Sequence, residues 1–221
     1  MRTDAIPHDV AVRSGNVVLH GILGLPHAAT GVILFAHGSG SGRLSPRNTY
    51  VARVLQDAGL GTLLIDLLTR EEELVDARTG HLRFDIDFLA GRLLDATRWL
   101  VEAPETSELA VGYFGASTGA AAALQAAATG ETEIFAIVSR GGRPDLAMPY
   151  LADVRVPTLL IVGGDDVPVI PLNRAAYEAL RSEKELVIVP GATHLFEEQG
   201  ALERVAGLAT DWFVHFLPAR P

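Results

Sequence analysis

Six short runs constrain this chain more than anything else in it: GVILFAHG (31–38), GTLLIDLL (61–68), LAVGYFGA (109–116), IFAIVSRGG (134–142), TLLIVGGDD (158–166) and ELVIVPG (185–191). Each is apolar at nearly every position rather than at every second one, the pattern of a strand covered on both faces. All fall far short of the roughly 20 apolar residues that a membrane-crossing helix needs. Between them, apolar residues recur three and four apart over 47–58, 85–101, 117–129, 171–182 and 200–216, which predicts helices. Strand and helix in alternation give an α/β fold, a mostly parallel central sheet with helices on both faces. Ahead of the series, DVAVRSGNVVLHGILGL (9–25) alternates apolar and polar around Ser14-Gly15-Asn16 and predicts an N-terminal antiparallel hairpin. The connection TREEELVDARTGHLRF (69–84) is charged and irregular, too short for a cap domain; it reads as a small flap, with REEEL (70–74) a solvated helix face.

Composition narrows the function classes. A chain of 221 residues, with no internal repeat or long linker, suits one domain over 1–221. A net charge of −9 with no Lys/Arg cluster argues against a nucleic-acid partner, because phosphates are neutralised by clustered cations. No membrane partner is expected, and nothing indicates an oligomeric state. With no cysteine, disulfides, thiolate metal sites and a Cys nucleophile are all excluded. The opening MRTDAIPHDVAV lacks the apolar centre of a signal peptide, so a cytoplasmic location is expected.

In such a sheet, ligands collect beyond the carboxyl ends of the strands. Those positions hold His37-Gly38-Ser39-Gly40, Asp66, Ser117, Arg140, Asp166 and His194. Ser117 stands between Gly115 and Gly119 where an apolar run passes into an Ala-rich helix. In a strand–turn–helix elbow the nucleophile has a strained backbone and small neighbours are obligatory. The competing reading is a turn or N-cap serine. A serine hydroxyl needs a general base, oriented in turn by a third group. His194, in VPGATHLF, follows the last strand and is the candidate base. His215 lies inside an apolar helix, and His8, His20 and His27 lie around the hairpin. For the orienting acid Asp166 is favoured over its neighbour Asp165 and over Asp145.

Backbone N–H groups are expected to hold the developing oxyanion. Thr118, after the nucleophile, supplies one; Ser39, ahead of Gly40, supplies the other from HGSGSG. That loop is not a dinucleotide fingerprint, since Arg43 stands where the third glycine belongs and neither Asp57 nor Asp66 is suitably placed. His37 is assigned to fixing the loop. Gly40 and Arg140 are candidate substrate contacts; Arg140 either reaches an anionic group or sits in a structural salt bridge.

HGSGSG, GASTG, VGGDD and PGATHLF, in this order, resemble the motifs of an α/β-hydrolase of the dienelactone-hydrolase-like group, over about residues 10–217. The resemblance implies an uncapped α/β-hydrolase fold and is specific for the superfamily rather than for a substrate. Dienelactone hydrolases proper carry Cys in the elbow; this chain resembles the compact bacterial members that keep Ser. The expectation is a serine hydrolase of small carboxylic esters with Ser117, His194 and Asp166 as its triad, and with no cofactor or metal. Acyl transfer, perhydrolysis or amide hydrolysis on the same triad, and a non-catalytic ligand-binding protein, are the alternatives.

Overall fold

The computed structural model describes residues 6–219. The hairpin forms as β1 (His8–Ser14) and β2 (Val17–Gly24), antiparallel and closed through Gly15-Asn16. The apolar runs become β3 (Gly31–Ala36), β4 (Gly61–Ile65), β5 (Ala110–Ala116), β6 (Ile134–Arg140), β7 (Thr158–Gly163) and β8 (Lys184–Val189). They join in one eight-stranded sheet of order β1-β2-β4-β3-β5-β6-β7-β8. The six strands from β4 to β8 in that order are parallel, and β2 joins β4 antiparallel. This is the α/β architecture expected of the sequence.

Helices cover both faces. α1 (Pro46–Asp57) and α6 (Ala201–Phe216) close one core around Phe35, Phe114, Val138 and Phe213. α3 (Ile86–Glu102), α4 (Thr118–Ala128) and α5 (Ile170–Ala179) lie on the other, over Leu34, Tyr113, Ile137 and Leu160. Buried aliphatic and aromatic residues on both faces explain why the strands read as continuous apolar runs rather than alternating ones.

The order of the strands also locates a site. From β3 the chain crosses to β4 on one side, then returns to β5 on the other, with Ala36 opposite Gly115. The loops after β3 and β5 therefore diverge and leave a crevice at their carboxyl ends.

Segment 69–84 is more regular than the expected flap, and REEEL, read as a helix face, does lie in a helix. It contains α2 (Arg70–Thr79) and a 3₁₀ turn at Leu82–Phe84. Local chemistry forms this helix, not an apolar stripe: Thr69 Oγ1 accepts from Glu72 N while Glu72 Oε2 accepts from Thr69 N at 2.8 Å. Three glutamates occupy the positive amino end, and Gly80 closes the helix in the left-handed conformation at φ 67°. REEEL is only partly solvated, because Glu72 forms an ion pair at 2.7 Å with the buried Arg92 of α3. A 3₁₀ segment at Pro144–Asp153 also lay outside the predicted elements.

Candidate active site

The elbow is built at the end of β5. Ser117 has φ 51° and ψ −121°, a backbone that a side-chain-bearing residue adopts only under constraint. Its N–H donates to Arg140 O at 3.3 Å, and its carbonyl accepts from Ala120 N and Arg143 N at 3.1 and 3.0 Å. The flanking glycines follow from packing. A Cβ on Gly115 would lie 2.4 Å from Ala120 Cα, and one on Gly119 would lie 2.2 Å from Ala36 O. Strand, turn and helix are thus pressed together around one half-buried serine.

His194 lies in the loop after β8, against Gly141. Its Nδ1 is 2.7 Å from Asp166 Oδ2, with Asp166 at 9% exposure in the turn after β7. With Nδ1–H donated to the carboxylate, Nε2 is the lone-pair nitrogen and can accept a proton. Asp165 is exposed and contributes its N–H to Ala192 O at 2.9 Å. Asp145 is engaged by Arg143 through two bonds of 2.8 Å. Among the described residues Ser117 Oγ makes no hydrogen bond to the imidazole. His215 is exposed on α6, edge-on to Phe216. His8 faces Glu105 at 3.4 Å; His20 and His27 are exposed.

The loop after β3 approaches the elbow from the other side. Ser39 Oγ and Thr118 Oγ1 are 3.4 Å apart, so the two proposed oxyanion donors come from adjoining segments. As the first residue of α4, Thr118 has an N–H with no intrahelical acceptor, and the helix dipole favours negative charge there. The loop is tied down at both ends. His37 Nδ1 donates to Gly38 O at 2.9 Å while Nε2 accepts from Leu67 N at 2.8 Å. Asp66 takes the Arg43 N–H at 2.6 Å and also holds Arg43 Nη1.

The family model for the dienelactone hydrolase family matches residues 19–215. The chain belongs to the dienelactone hydrolase family. A crystal structure of a dienelactone hydrolase from Anabaena variabilis is 61% identical with a TM-score of 0.94, covering 97% of this chain and 99% of that one. An esterase from Pyrococcus furiosus shares the fold at 17% identity and TM-score 0.77, over 97% of this chain and 92% of its own. A Mycobacterium tuberculosis protein provisionally named a phosphoribosyl transferase is 55% identical over 209 residues, 95% of this chain. The match takes up 46% of that relative, so the chain spans about half its length.

In this member of the family a cavity of about 570 Å³ opens beside Ser39, Gly40 and Thr118 and runs under α2. Its far wall comes from Glu73, Asp76, Ala77 and Arg83, from the segment expected to be a flap. Asp76 is buried and grips Arg83 Nε at 2.6 Å. Partial burial, followed by the nearby Asp66 charge, pushes the Glu73 carboxyl above its ordinary range. Among the described residues no group of three His, Asp or Glu side chains is placed to hold a metal ion. No helix among them is long and apolar enough to cross a membrane.

Sequence reasoning missed the Asp66 clamp on Arg43; its one signal was a carboxylate directly after an all-apolar strand. The His37 clamp has a measurable consequence. Burial is the main influence on His37 and lowers its pKa, so the folded protein resists the proton that the unfolded chain accepts. Stability is therefore complete above about pH 6.5 and falls below it, by at most about 1.4 kcal/mol per pH unit from this group. Urea unfolding between pH 5 and 7.5 should show that slope, and His37→Gln should flatten it.

Proposed function

We propose that the protein hydrolyses small carboxylic esters through an acyl-enzyme on Ser117. The observation that carries this reading is the 2.7 Å His194–Asp166 bond in the loops after β7 and β8, together with a serine held at φ 51° between two obligatory glycines after β5. Ser117 Oγ attacks the ester carbonyl carbon as its proton passes to His194 Nε2. Asp166 holds Nδ1–H and stabilises the imidazolium, while the N–H groups of Ser39 and Thr118 receive the carbonyl oxygen as it becomes negative. The imidazolium protonates the departing alcohol. Water, activated by the same nitrogen, then attacks the acyl-enzyme, releasing the acid and restoring the serine.

Phosphoribosyl transfer, the provisional name of the mycobacterial relatives, is not the reaction we propose: a serine elbow after β5, with a His–Asp pair in the loops after β7 and β8, suits carbonyl attack. A fluorophosphonate probe tests the reading directly. Labelling of wild type at Ser117 is expected, with none in Ser117→Ala; an unlabelled wild type would leave a ligand-binding protein. Product analysis with added alcohol acceptors separates hydrolysis from acyl transfer.

The cavity predicts substrate size. Its apolar side chains, Leu44, Pro46, Leu68, Ala77 and Leu89, do not form a continuous channel in the lining but are interrupted by Arg43, Glu73, Asp76 and Arg83. Each buried methylene contributes about 0.8 kcal/mol, roughly fourfold in kcat/KM, only where apolar wall continues to cover it. Acyl chains of about two to six carbons should therefore be preferred. p-Nitrophenyl esters from acetate to palmitate check this, and a maximum at about ten carbons or beyond would contradict it.

A further inference from the structure

Ser117, Asp166 and His194 stand on three separate loops, after β5, β7 and β8. Among the described residues no side-chain bond joins Ser117 to the imidazole, so their separation is set by the backbone that carries them. Between the two halves lies the loop after β6, the strand that stands between β5 and β7 in the sheet. Arg140, at its start, is 7% exposed, and the salt bridge that the sequence left open for it is not formed among the described residues. The loop instead holds the elbow through its main chain. Arg140 O accepts the Ser117 N–H at 3.3 Å, and the Arg143 N–H donates back to Ser117 O at 3.0 Å.

That Arg143 N–H belongs to the same peptide unit as the Gly142 carbonyl. In a trans peptide the two groups point in opposite directions, so the unit has Ser117 on one side and a second partner on the other. The second partner is Asn173 of α5, wholly buried, whose Nδ2 donates to Gly142 O at 3.1 Å. No backbone N–H among the described residues reaches that buried carbonyl. Nδ2 also donates to Val169 O at 3.0 Å, and the Val169 N–H donates in turn to Asp166 O at 3.0 Å. One side-chain amide thus completes a hydrogen-bonded path from the Ser117 carbonyl to the Asp166 main chain. Both of its neighbours are carbonyl oxygens, which only the amide nitrogen can meet. Asn173 Oδ1 meets no donor, a cost that a leucine of similar size would avoid, so packing alone does not call for an amide here. The loop has little slack. A Cβ on Gly142 would lie 2.8 Å from Ala120 Cβ of α4, and one on Gly141 would lie 3.1 Å from His194 O.

We propose that Asn173 is a positioning residue that sets the distance between the Ser117 elbow and the Asp166–His194 pair. The proposal rests on the ester-hydrolase reading and adds to it a residue that touches neither the substrate nor the reacting atoms. Without the amide, Gly142 O is left buried and unpaired, and the loop moves to recover a donor. The elbow follows it, because the same peptide unit holds Ser117 O. A shift of about 1 Å between nucleophile and base costs roughly a hundredfold in rate while leaving each group intact.

The test compares wild type with Asn173→Leu, and with Asn173→Ala should the leucine variant not fold, on p-nitrophenyl butyrate well below the lowest Tm. In the variant kcat should fall about ten- to a hundredfold with KM held within about twofold, the mark of a loss felt in the transition state rather than in binding. The rate of fluorophosphonate labelling at Ser117 should fall in step. The acid limb of the pH profile should stay in place, because Asp166 Oδ2 still holds His194 Nδ1. Thr106→Val is the control: it removes a buried bond to Leu100 O at 2.6 Å ahead of β5, at the opposite edge of the sheet. It should lower the Tm and leave kcat unchanged. Undiminished kcat and labelling in the Asn173 variants overturn the role of Asn173 and leave the hydrolase reading standing. An equal loss of kcat in Thr106→Val overturns it too, since general loosening would then suffice. A displaced acid limb places the damage inside the His194–Asp166 pair and likewise overturns the spacing role. If wild type cleaves no ester and Ser117 is not labelled, the hydrolase reading fails, and the role proposed for Asn173 fails with it.

Discussion

Ser117→Ala is expected to leave the protein folded and to lower ester turnover by about 10⁴ to 10⁶. The first half of that expectation follows from where the strain lies. The unusual φ of 51° belongs to the backbone, and alanine carries the same Cβ, so the variant inherits the strain rather than relieving or adding to it. The bonds that pin the elbow, from Ser117 N to Arg140 O and from Arg143 N to Ser117 O, involve main-chain atoms only. The second half follows from the chemistry: without Oγ there is no acyl-enzyme, and what remains is the catalysis of positioned donors on a bound ester. Thermal melting and turnover of purified variant and wild type, measured together, check both halves. A variant retaining a tenth of wild-type turnover would remove Ser117 as the nucleophile.

Much of the fold was legible because covering a strand on both faces leaves a mark in every residue of it. GVILFA and TLLIVG are wholly buried and appear as β3 and β7 where the apolar runs stand. The same logic misplaced the end of β4. Leu67 and Leu68 stay buried, so the run reads on to 68, but the strand stops at Ile65 because Leu67 N–H turns to His37 rather than to a neighbouring strand. α2 was read only at REEEL, as a helix face, and its full length was missed for the opposite reason. Its stability comes from a capping box and from ion pairs, and Leu74 and Val75 face outward, so no apolar period announces it. The Thr69-x-x-Glu72 spacing was the available signal.

The site divides in the same way. The candidate residues at strand ends, Ser117, Asp166, His194, Ser39 and Thr118, could be proposed from position along the chain, since the parallel strands bring their carboxyl ends to one edge. Contacts between residues far apart in sequence could not. Arg47 meets Glu197 across 150 positions, and nothing in either segment's composition points to the other. That Arg140 has no carboxylate partner among the described residues is likewise a property of the packed molecule rather than of either neighbouring segment.

Asp166→Asn should lower turnover by about 10⁴, and Asp165→Asn by far less. Asp166 is 9% exposed and accepts from His194 Nδ1 at 2.7 Å, so the carboxylate selects the tautomer that leaves Nε2 free. An asparagine can present N–H instead of oxygen to Nδ1, which favours the imidazole protonated at Nε2, unable to take the Ser117 proton. It also removes the negative charge that balances the imidazolium as that proton arrives. Asp165, one residue earlier, is exposed and is bound to the His194 loop through its backbone N–H, a bond that Asn retains. Asp145→Asn is a further control, since its carboxylate serves Arg143 rather than the imidazole. The three variants, assayed side by side on one short-chain ester above pH 7, must rank Asp166→Asn lowest by orders of magnitude. The reverse order between Asp166→Asn and Asp165→Asn would move the orienting role to Asp165, and equal small losses would mean that His194 works without a carboxylate partner.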